Sequence, residues 1–226
     1  MTDAPAPDPH ALPDVSGLVV GVLGGTGEQG RGLALRLQRS GLRVIIGSRD
    51  GDRARASAAE IGVEGASNEE CARASDVVIV AVPWDGHAAT LESLRDALAG
   101  RIVVDCVNPM GFDKQGAYSL PVPEGSAAQQ AAALLPDSRV TAAFHHVSAV
   151  LLLDESVPTL DTDVMVLGDD REATDIVQAL AGRIPGMRGV YAGRLRNAGQ
   201  VEALTANLIS ANRRYKAHAG LRVTDV

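Results

Sequence analysis

Gly25-Thr26-Gly27-Glu28-Gln29-Gly30 fits the pattern G-x-G-x-x-G. Alone the pattern is weak, but here an apolar run at residues 18–23 precedes it and a leucine-bearing stretch at 30–40 follows it. A strand, a glycine turn and a helix in that order make a phosphate site. Glycine permits the tight turn, lets backbone approach a pyrophosphate, and packs the helix close to the strand. The helix N-terminus then offers free N–H groups and a partial positive charge to the anion. Gly25, Thr26, Gly27, Glu28 and Gln29 are the candidates for that contact.

The tip of the second strand distinguishes the two nicotinamide dinucleotides. An NAD site carries Asp or Glu there to hold the ribose 2′-hydroxyl. This chain has Gly47-Ser48-Arg49, with Arg53 one helical turn further on. A hydroxyl and two guanidiniums suit a 2′-phosphate, which arginine binds in a planar, charge-assisted fork. Arginine at a helix N-terminus opposes the helix dipole and so wants a reason to be there. The expected cofactor is NADP, although Asp50 and Asp52 stand close enough to neutralise part of the positive charge.

More candidates follow the later strands. Trp84, the one tryptophan of the chain, comes directly after Val82-Pro83 and reads either as a flat cleft wall or as core. Asn108-Pro109 follows the fifth strand, as a turn or a pocket wall. His145-His146 ends the expected sixth strand, and general acid–base, metal-ligand and pocket-lining roles compete for it. Neighbours on a strand face opposite ways, so the pair cannot readily grip one metal. No Cys or carboxylate cluster with metal spacing supports it, and no metal site is expected. One of the two is expected to face the cleft, while His87 and His218 read as surface or helix-packing residues. There is no catalytic triad, no Tyr-x-x-x-Lys pair and no carboxylate dyad placed by motif, so no catalytic residue is assigned. Hydride transfer between two bound cofactors needs little protein proton transfer and fits that absence.

The elements that must position these residues alternate regularly. Strands are expected at 18–23, 42–48, 63–66, 76–82, 101–107, 139–146, 163–168 and 190–192. Helices are expected at 30–40, 52–61, 68–74, 85–97, 126–135, 171–183 and 195–219, with residues 111–125 as a Gly/Pro-bearing connection. This rhythm predicts an α/β fold: a Rossmann-type, doubly wound, mostly parallel sheet with a small C-terminal helical part. The organisation is a disordered tail at 1–15, an NADP-binding domain at 16–193 and a C-terminal helical segment at 194–226.

Composition agrees with that plan. At 226 residues with 46% hydrophobic and 22% charged, the chain can bury one large core. A net charge of −7 argues against bulk nucleic-acid binding. Two cysteines exclude a disulfide scaffold and are too few for a zinc cage. The proline-bearing N-terminus is neither signal peptide nor anchor, and apolar runs such as 77–83 and 147–153 fall far short of the ~20 residues a bilayer needs. A cytoplasmic protein without a membrane partner is expected.

The run from Leu23 to Ala34 (LGGTGEQGRGLA), with Gly47-Ser48-Arg49 and Val82-Pro83-Trp84, resembles the NADPH-dependent coenzyme F420 reductases, or F420H2:NADP oxidoreductases. Ala192 through Asn197, Val201 through Thr205, and Asn212 through Leu221 resemble that family's ending, so the likeness spans about residues 17–224. It implies reversible hydride transfer between NADP(H) and the 8-hydroxy-5-deazaflavin of coenzyme F420. It implies pyrophosphate contacts at 26–29 and 2′-phosphate contacts at Ser48, Arg49 and Arg53. Trp84 would flank the cofactor and Ala149 would offer backbone to the nicotinamide amide. Asn108, His145, Val147 and Leu221 would line the deazaflavin site, which the C-terminal segment completes. It also implies a homodimer joined through the C-terminal helix. Two other readings share the residues: an NADP-dependent reductase of a small imine or carbonyl, and a non-catalytic NADP-sensing module. A third, the reductase half of a membrane metalloreductase, is opposed by the lack of a spanning segment.

Overall fold

Valine and isoleucine dominate four of the first five strands, and their placement explains the layers. β1 (Val19–Leu23), β2 (Arg43–Ser48), β3 (Glu64–Ser67), β4 (Val77–Val80) and β5 (Ile102–Asp105) are joined through α1 (Glu28–Arg39), α2 (Gly51–Ile61), α3 (Asn68–Ala74), α4 (His87–Ser93) and α5 (Arg95–Leu98). Along β4, Val77 and Ile79 enter one core while Val78 and Val80 enter the other. A strand alternates its faces, so an unbroken apolar run belongs to a sheet covered on both sides.

A computed structural model describes residues 11–226. Residues 1–10 of the expected tail lie outside the described residues; Val15 is buried, and its carbonyl accepts a bond from the Leu18 N–H at 3.1 Å. The chain continues through β6 (Met110–Asp113), β7 (Gly116–Ser119), α6 (Ala127–Leu134), β8 (Arg139–Ala142) and α7 (Ala149–Leu153). It closes with β9 (Thr162–Gly168), α8 (Arg171–Gly182), β10 (Met187–Gly193) and α9 (Ala198–Tyr215). Eight strands form one sheet in the order β10-β9-β8-β5-β4-β1-β2-β3. All neighbours pair in parallel except β8 with β9, so the sheet is mostly parallel, as expected.

Four expectations need correction. The helix expected at 85–97 is a 3-10 turn at Trp84–Gly86, then α4, then α5, with a break at Leu94 (φ −111°, ψ 6°). The connection at 111–125 contains the antiparallel hairpin β6–β7, whose turn is held by the Asp113 carboxylate accepting from the N–H groups of Gln115 and Gly116. The sixth strand stops at Ala142, because Phe144 adopts φ 64° and turns the chain. A bulky, fully buried residue in the left-handed region is uncommon, and it carries His145 and His146 out of the strand into a turn. The C-terminal helix ends at Tyr215, with Lys216 in the left-handed region, and the remaining chain runs beside the start of β9.

Two buried side chains fasten the pieces nearest the sheet's working edge. Arg36 on α1 donates to the carbonyls of Leu151, Leu152, Asp154 and Val157 at 2.7–2.8 Å, capping the carboxyl end of α7. Asp163 is fully buried and holds the C-terminal segment. Its carboxylate accepts from Arg188 at 2.9 and 2.7 Å, from Arg222 at 2.6 Å and from the Val223 N–H at 2.7 Å. The Arg188 bonds, chief among several, keep its pKa below the usual aspartate value.

Asp163→Asn keeps the shape and removes the charge. Both arginines are nearly half exposed and regain water, so the expected loss is about 1–3 kcal/mol. Calorimetry reads it as a lower Tm, and amide exchange reads it as faster exchange at residues 217–226. A carboxylate whose pKa is depressed by folding stabilises above its unfolded pKa of about 4, and that stability disappears as acid protonates it. The variant and the wild type should therefore begin to converge in stability below about pH 4 and meet only once the pH falls through the depressed folded pKa.

Candidate functional site

β1, β2, β4, β5 and β8 all point their carboxyl ends at one edge of the sheet. From β1 the chain winds outward to β2 and β3, then returns to place β4 on the other side of β1. The crevice beyond β1 and β4 is the topological switch point, where open α/β sheets bind ligands.

The glycine turn fills the first half of this crevice. A Cβ on Gly30 would lie 2.7 Å from the Gly24 carbonyl oxygen and 3.0 Å from the Gly25 Cα, so no larger residue lets α1 approach β1 this closely. Gly27 differs. It is exposed, it caps α1 without any side-chain bond, and a Cβ there would meet only the Gly24 carbonyl, at 3.4 Å. The backbone is thus bare where an anion would rest, and the first-turn N–H groups lack intrahelical acceptors. Thr26 is half-buried and Glu28 exposed, while the Gln29 amide donates to the Phe144 carbonyl at 3.3 Å. That bond ties the glycine turn to the loop after β8.

At the tip of β2, Ser48 is half-buried and its hydroxyl accepts from the Asp50 N–H at 3.2 Å. The two neighbouring acids are already committed. Asp50 caps α2 by accepting from the N–H groups of Asp52 and Arg53, and Asp52 pairs with Arg55 at 2.7 Å. The exposed guanidiniums of Arg49 and Arg53 form no ion pair among the described residues. The two acids thus make their hydrogen bonds elsewhere and leave the guanidinium N–H groups of Arg49 and Arg53 to an anion, while still offsetting part of the positive charge.

Trp84 and His87 begin the second half. Trp84 is partly buried in the 3-10 turn after β4, its ring 5.4 Å from that of His87. His87 is neither exposed nor lone: it is fully buried and bonds Asp105 at 2.6 Å. Asn108 donates to the His145 carbonyl at 2.8 Å, and Thr205 of α9 donates to the same oxygen at 3.1 Å. The His145 carbonyl, not its ring, joins these elements. Both histidine rings are buried; His146 reaches the Asp163 carbonyl at 2.7 Å and lines a small cavity with Val147, Ser148 and Thr162. Burial lowers the His145 pKa to about 4, against the pull of Asp105, so the ring is neutral at ordinary pH.

Several polar atoms here have no partner: Asn108 Oδ1, both ring nitrogens of His145 and Nδ1 of His146. Buried polar groups are normally bonded, so this cluster just beneath the crevice is unusual. Val147 is packed in the core, and Ala149 opens α7, which Ser148 caps through its hydroxyl. Leu221 is half-buried and bonded to Thr162 and Asp163, so the C-terminal segment meets the loop after β8 at this edge. Two cavities flank the Asn108–His145 contact. One, of ≈ 40 Å³, lies among Val147, Ser148, Thr162 and His218. The other, of ≈ 290 Å³, lies between Pro109, the β7 end and α9.

Sequence reasoning missed His87, Asp105, Thr205 and Glu202. An acid at the end of the apolar run Ile102-Val103-Val104 was the available signal for Asp105, since a carboxylate in such a place needs a partner. Glu202 of α9 is buried and accepts from the N–H groups of Ala127 and Ala128, at 2.9 and 3.2 Å, at the start of α6. Burial raises its pKa to about 7. The two cysteines are inert: burial pushes Cys71 up to about 12 and raises Cys106 as well, so neither offers a thiolate. No group of three or more candidate metal ligands occurs among the described residues.

Residues 19–109 match the family model described as NADP oxidoreductase coenzyme F420-dependent. The F420-dependent NADP reductase of Methanothermobacter marburgensis is 39% identical over 221 residues, 92% of this chain and 98% of that protein. Its namesake in Methanocaldococcus jannaschii is 36% identical over 222 residues, again 92% and 98%. A crystal structure from Arthrobacter sp. FB24, assigned to the same class of reductase, superposes with a TM-score of 0.80 at 26% identity, covering 92% of this chain and 100% of that one.

Two glycine substitutions separate the fold's requirement from the ligand's. Gly30→Ala collides with backbone and should cost about 1–3 kcal/mol, some 2–4 °C of Tm per kcal/mol at this size. Gly27→Ala should cost at most about 1 kcal/mol through the poorer cap. It should nevertheless weaken NADPH binding about tenfold or more, since each factor of ten is about 1.4 kcal/mol. Calorimetry and NADPH titration on both variants check the contrast.

Proposed function

We propose how this site works from one premise: the chain belongs to the coenzyme F420-dependent NADP oxidoreductase family, and it transfers a hydride between NADP(H) and F420. The observation that carries the reading is the pairing of two unlike half-sites on one sheet edge. One is a bare helix N-terminus with two uncommitted guanidiniums. The other is a wall of buried, neutral, partly unpartnered polar groups.

In this reading the backbone of Gly25, Thr26, Gly27, Glu28 and Gln29 holds the pyrophosphate, and Ser48, Arg49 and Arg53 hold the 2′-phosphate. Trp84 flanks the cofactor, and the backbone at Ala149 takes the nicotinamide amide. Asn108, His145, Val147 and Leu221 bound the deazaflavin side. NADPH and F420 themselves supply the hydride donor and the hydride acceptor, so the chain needs no nucleophile of its own. What the residues contribute is alignment, and water exclusion by the apolar packing around Trp84 and Val147. The neutral His145 adds shape without a proton to give at pH 7. The half-exposed Leu204, Leu208 and Ile209 of α9 are our proposed contact with a second copy, giving a homodimer that sedimentation would show. No described helix is long and apolar enough to cross a membrane, and we place the reaction in the cytoplasm.

The direct test follows bleaching of F420 at about 420 nm with NADPH as the donor. Replacing Arg49 and Arg53 together by Ala should raise the KM for NADP about 10- to 100-fold, one or two charge-assisted hydrogen bonds' worth. The KM for NAD should change less than about twofold, because NAD lacks the group they would hold. An equal loss for both dinucleotides would remove the 2′-phosphate argument. His145→Ala should slow turnover only moderately. The neutral ring makes a second check: as pH falls from about 6.5, the unfolded chain takes up a proton there and the folded chain does not. His145 should therefore reduce stability progressively down to about pH 4, while kcat shows no His145 inflection between.

A further inference from the structure

His87 and Asp105 are both fully buried, and the ring's Nε2 stands 2.6 Å from the Asp105 carboxylate. The other nitrogen, Nδ1, faces the Gln130 side-chain oxygen at 2.9 Å. Gln130 is oriented by its own amide nitrogen, which donates to Glu124 at 3.3 Å. Both ring nitrogens thus face oxygen atoms, and opposite an ionised Asp105 only the doubly protonated ring satisfies both. That arrangement sets an imidazolium against a carboxylate in the interior. Such a pair is expensive to desolvate, and well-packed apolar residues would serve stability as well or better. Its presence calls for a role in arrangement.

The bonds running out from the pair supply one. The second oxygen of Asp105 accepts from the Val107 N–H at 3.0 Å, fixing the turn that presents Asn108. Asn108 binds the His145 carbonyl, which Thr205 also binds. On its other side the His87 ring lies against Trp84, the planes inclined at 32°. One chain of contacts therefore joins the ends of β4 and β5 to the loop after β8 and to α9.

We propose that His87 and Asp105 are positioning residues for hydride transfer, and that their buried pair locks Trp84 and Asn108 into one rigid wall across the deazaflavin side of the crevice. This rests on the function proposed above. Neither residue touches a reacting atom; each acts through the wall it holds.

The test uses the intact protein and two variants, His87→Gln and the double variant His87→Leu/Asp105→Asn. The double variant leaves no unpaired buried charge, and the amide oxygen that replaces the carboxylate still accepts from the Val107 N–H, so it keeps a foldable interior where a single substitution fails. NMR of the imidazole nitrogens should show His87 protonated at both positions at neutral pH. Protonated imidazole quenches indole emission, and Trp84 is the sole tryptophan, so emission should rise in both variants. With the fold confirmed by calorimetry, kcat should fall about 10- to 100-fold, the scale of a misplaced reacting geometry. The KM for F420 should rise about tenfold while that for NADPH stays within about twofold. A singly protonated His87, or a folded double variant with wild-type kcat and KM, overturns the proposal. A wild-type enzyme that ignores F420 overturns instead the functional reading beneath it.

Discussion

The contact on which the rest hangs is the approach of α1 to β1. Only the missing side chain of Gly30 lets the helix start against the Gly24 carbonyl, and this aims its N-terminus into the crevice. The same helix sets the opposite wall. A Cβ on Gly32 would lie 2.6 Å from Leu152 Cβ, so α7 seats directly on α1, and Arg36, one turn later, caps α7. Gln29 then ties the glycine turn to Phe144. A single helix therefore positions both the candidate anion site and the loop that faces it, and shifting it would move the two together.

Buried carboxylates organise the other half. An isolated carboxylate in an apolar interior would cost far more than the whole stability of a domain, so each must be answered. Asp105 is answered by His87, Asp163 by two arginines and a backbone N–H, and Glu202 by two N–H groups at the start of α6. Each solution joins elements distant in sequence. Asp163 staples the C-terminal segment to the sheet, and Glu202 pins α9 to α6. The charges contribute little net stability for their number; they fix which element sits where.

What the sequence revealed and what it hid divide along the same line. Most strands of the large sheet, the phosphate turn and the helix expected at 52–61, found as α2, were legible, because each is written in consecutive residues. α3 falls on residues 68–74 as expected, its capping box spelled by Ser67 and Glu70. The hairpin β6–β7 was legible in principle from Asp113 and Gly116, the two ends of its turn. Hidden were contacts that depend on separation. His87 looked unremarkable until β5 brought Asp105 to it from 18 residues away, and Asp163 meets Arg222 across 59. Periodicity also failed at Phe144: an apolar residue in a run of apolar residues reads as strand, and nothing local announces φ 64°.

The two half-sites consequently differ in what they can recognise. The glycine turn and Arg49 and Arg53 use backbone N–H groups and exposed guanidiniums, which any suitably phosphorylated dinucleotide can meet without disturbing the core. The side bounded by Asn108 and His145 is made of buried groups whose bonds run through the interior to α6, α9 and the C-terminal segment. A substitution there is felt by several elements at once. In the proposed reading the acceptor side is where this fold can be specific, because a mismatched ring leaves buried polar atoms unsatisfied at about 1–3 kcal/mol each. The dinucleotide side, in the same reading, draws its selectivity from a single phosphate that stays near solvent. The geometry therefore couples a widely shared cofactor to one particular acceptor.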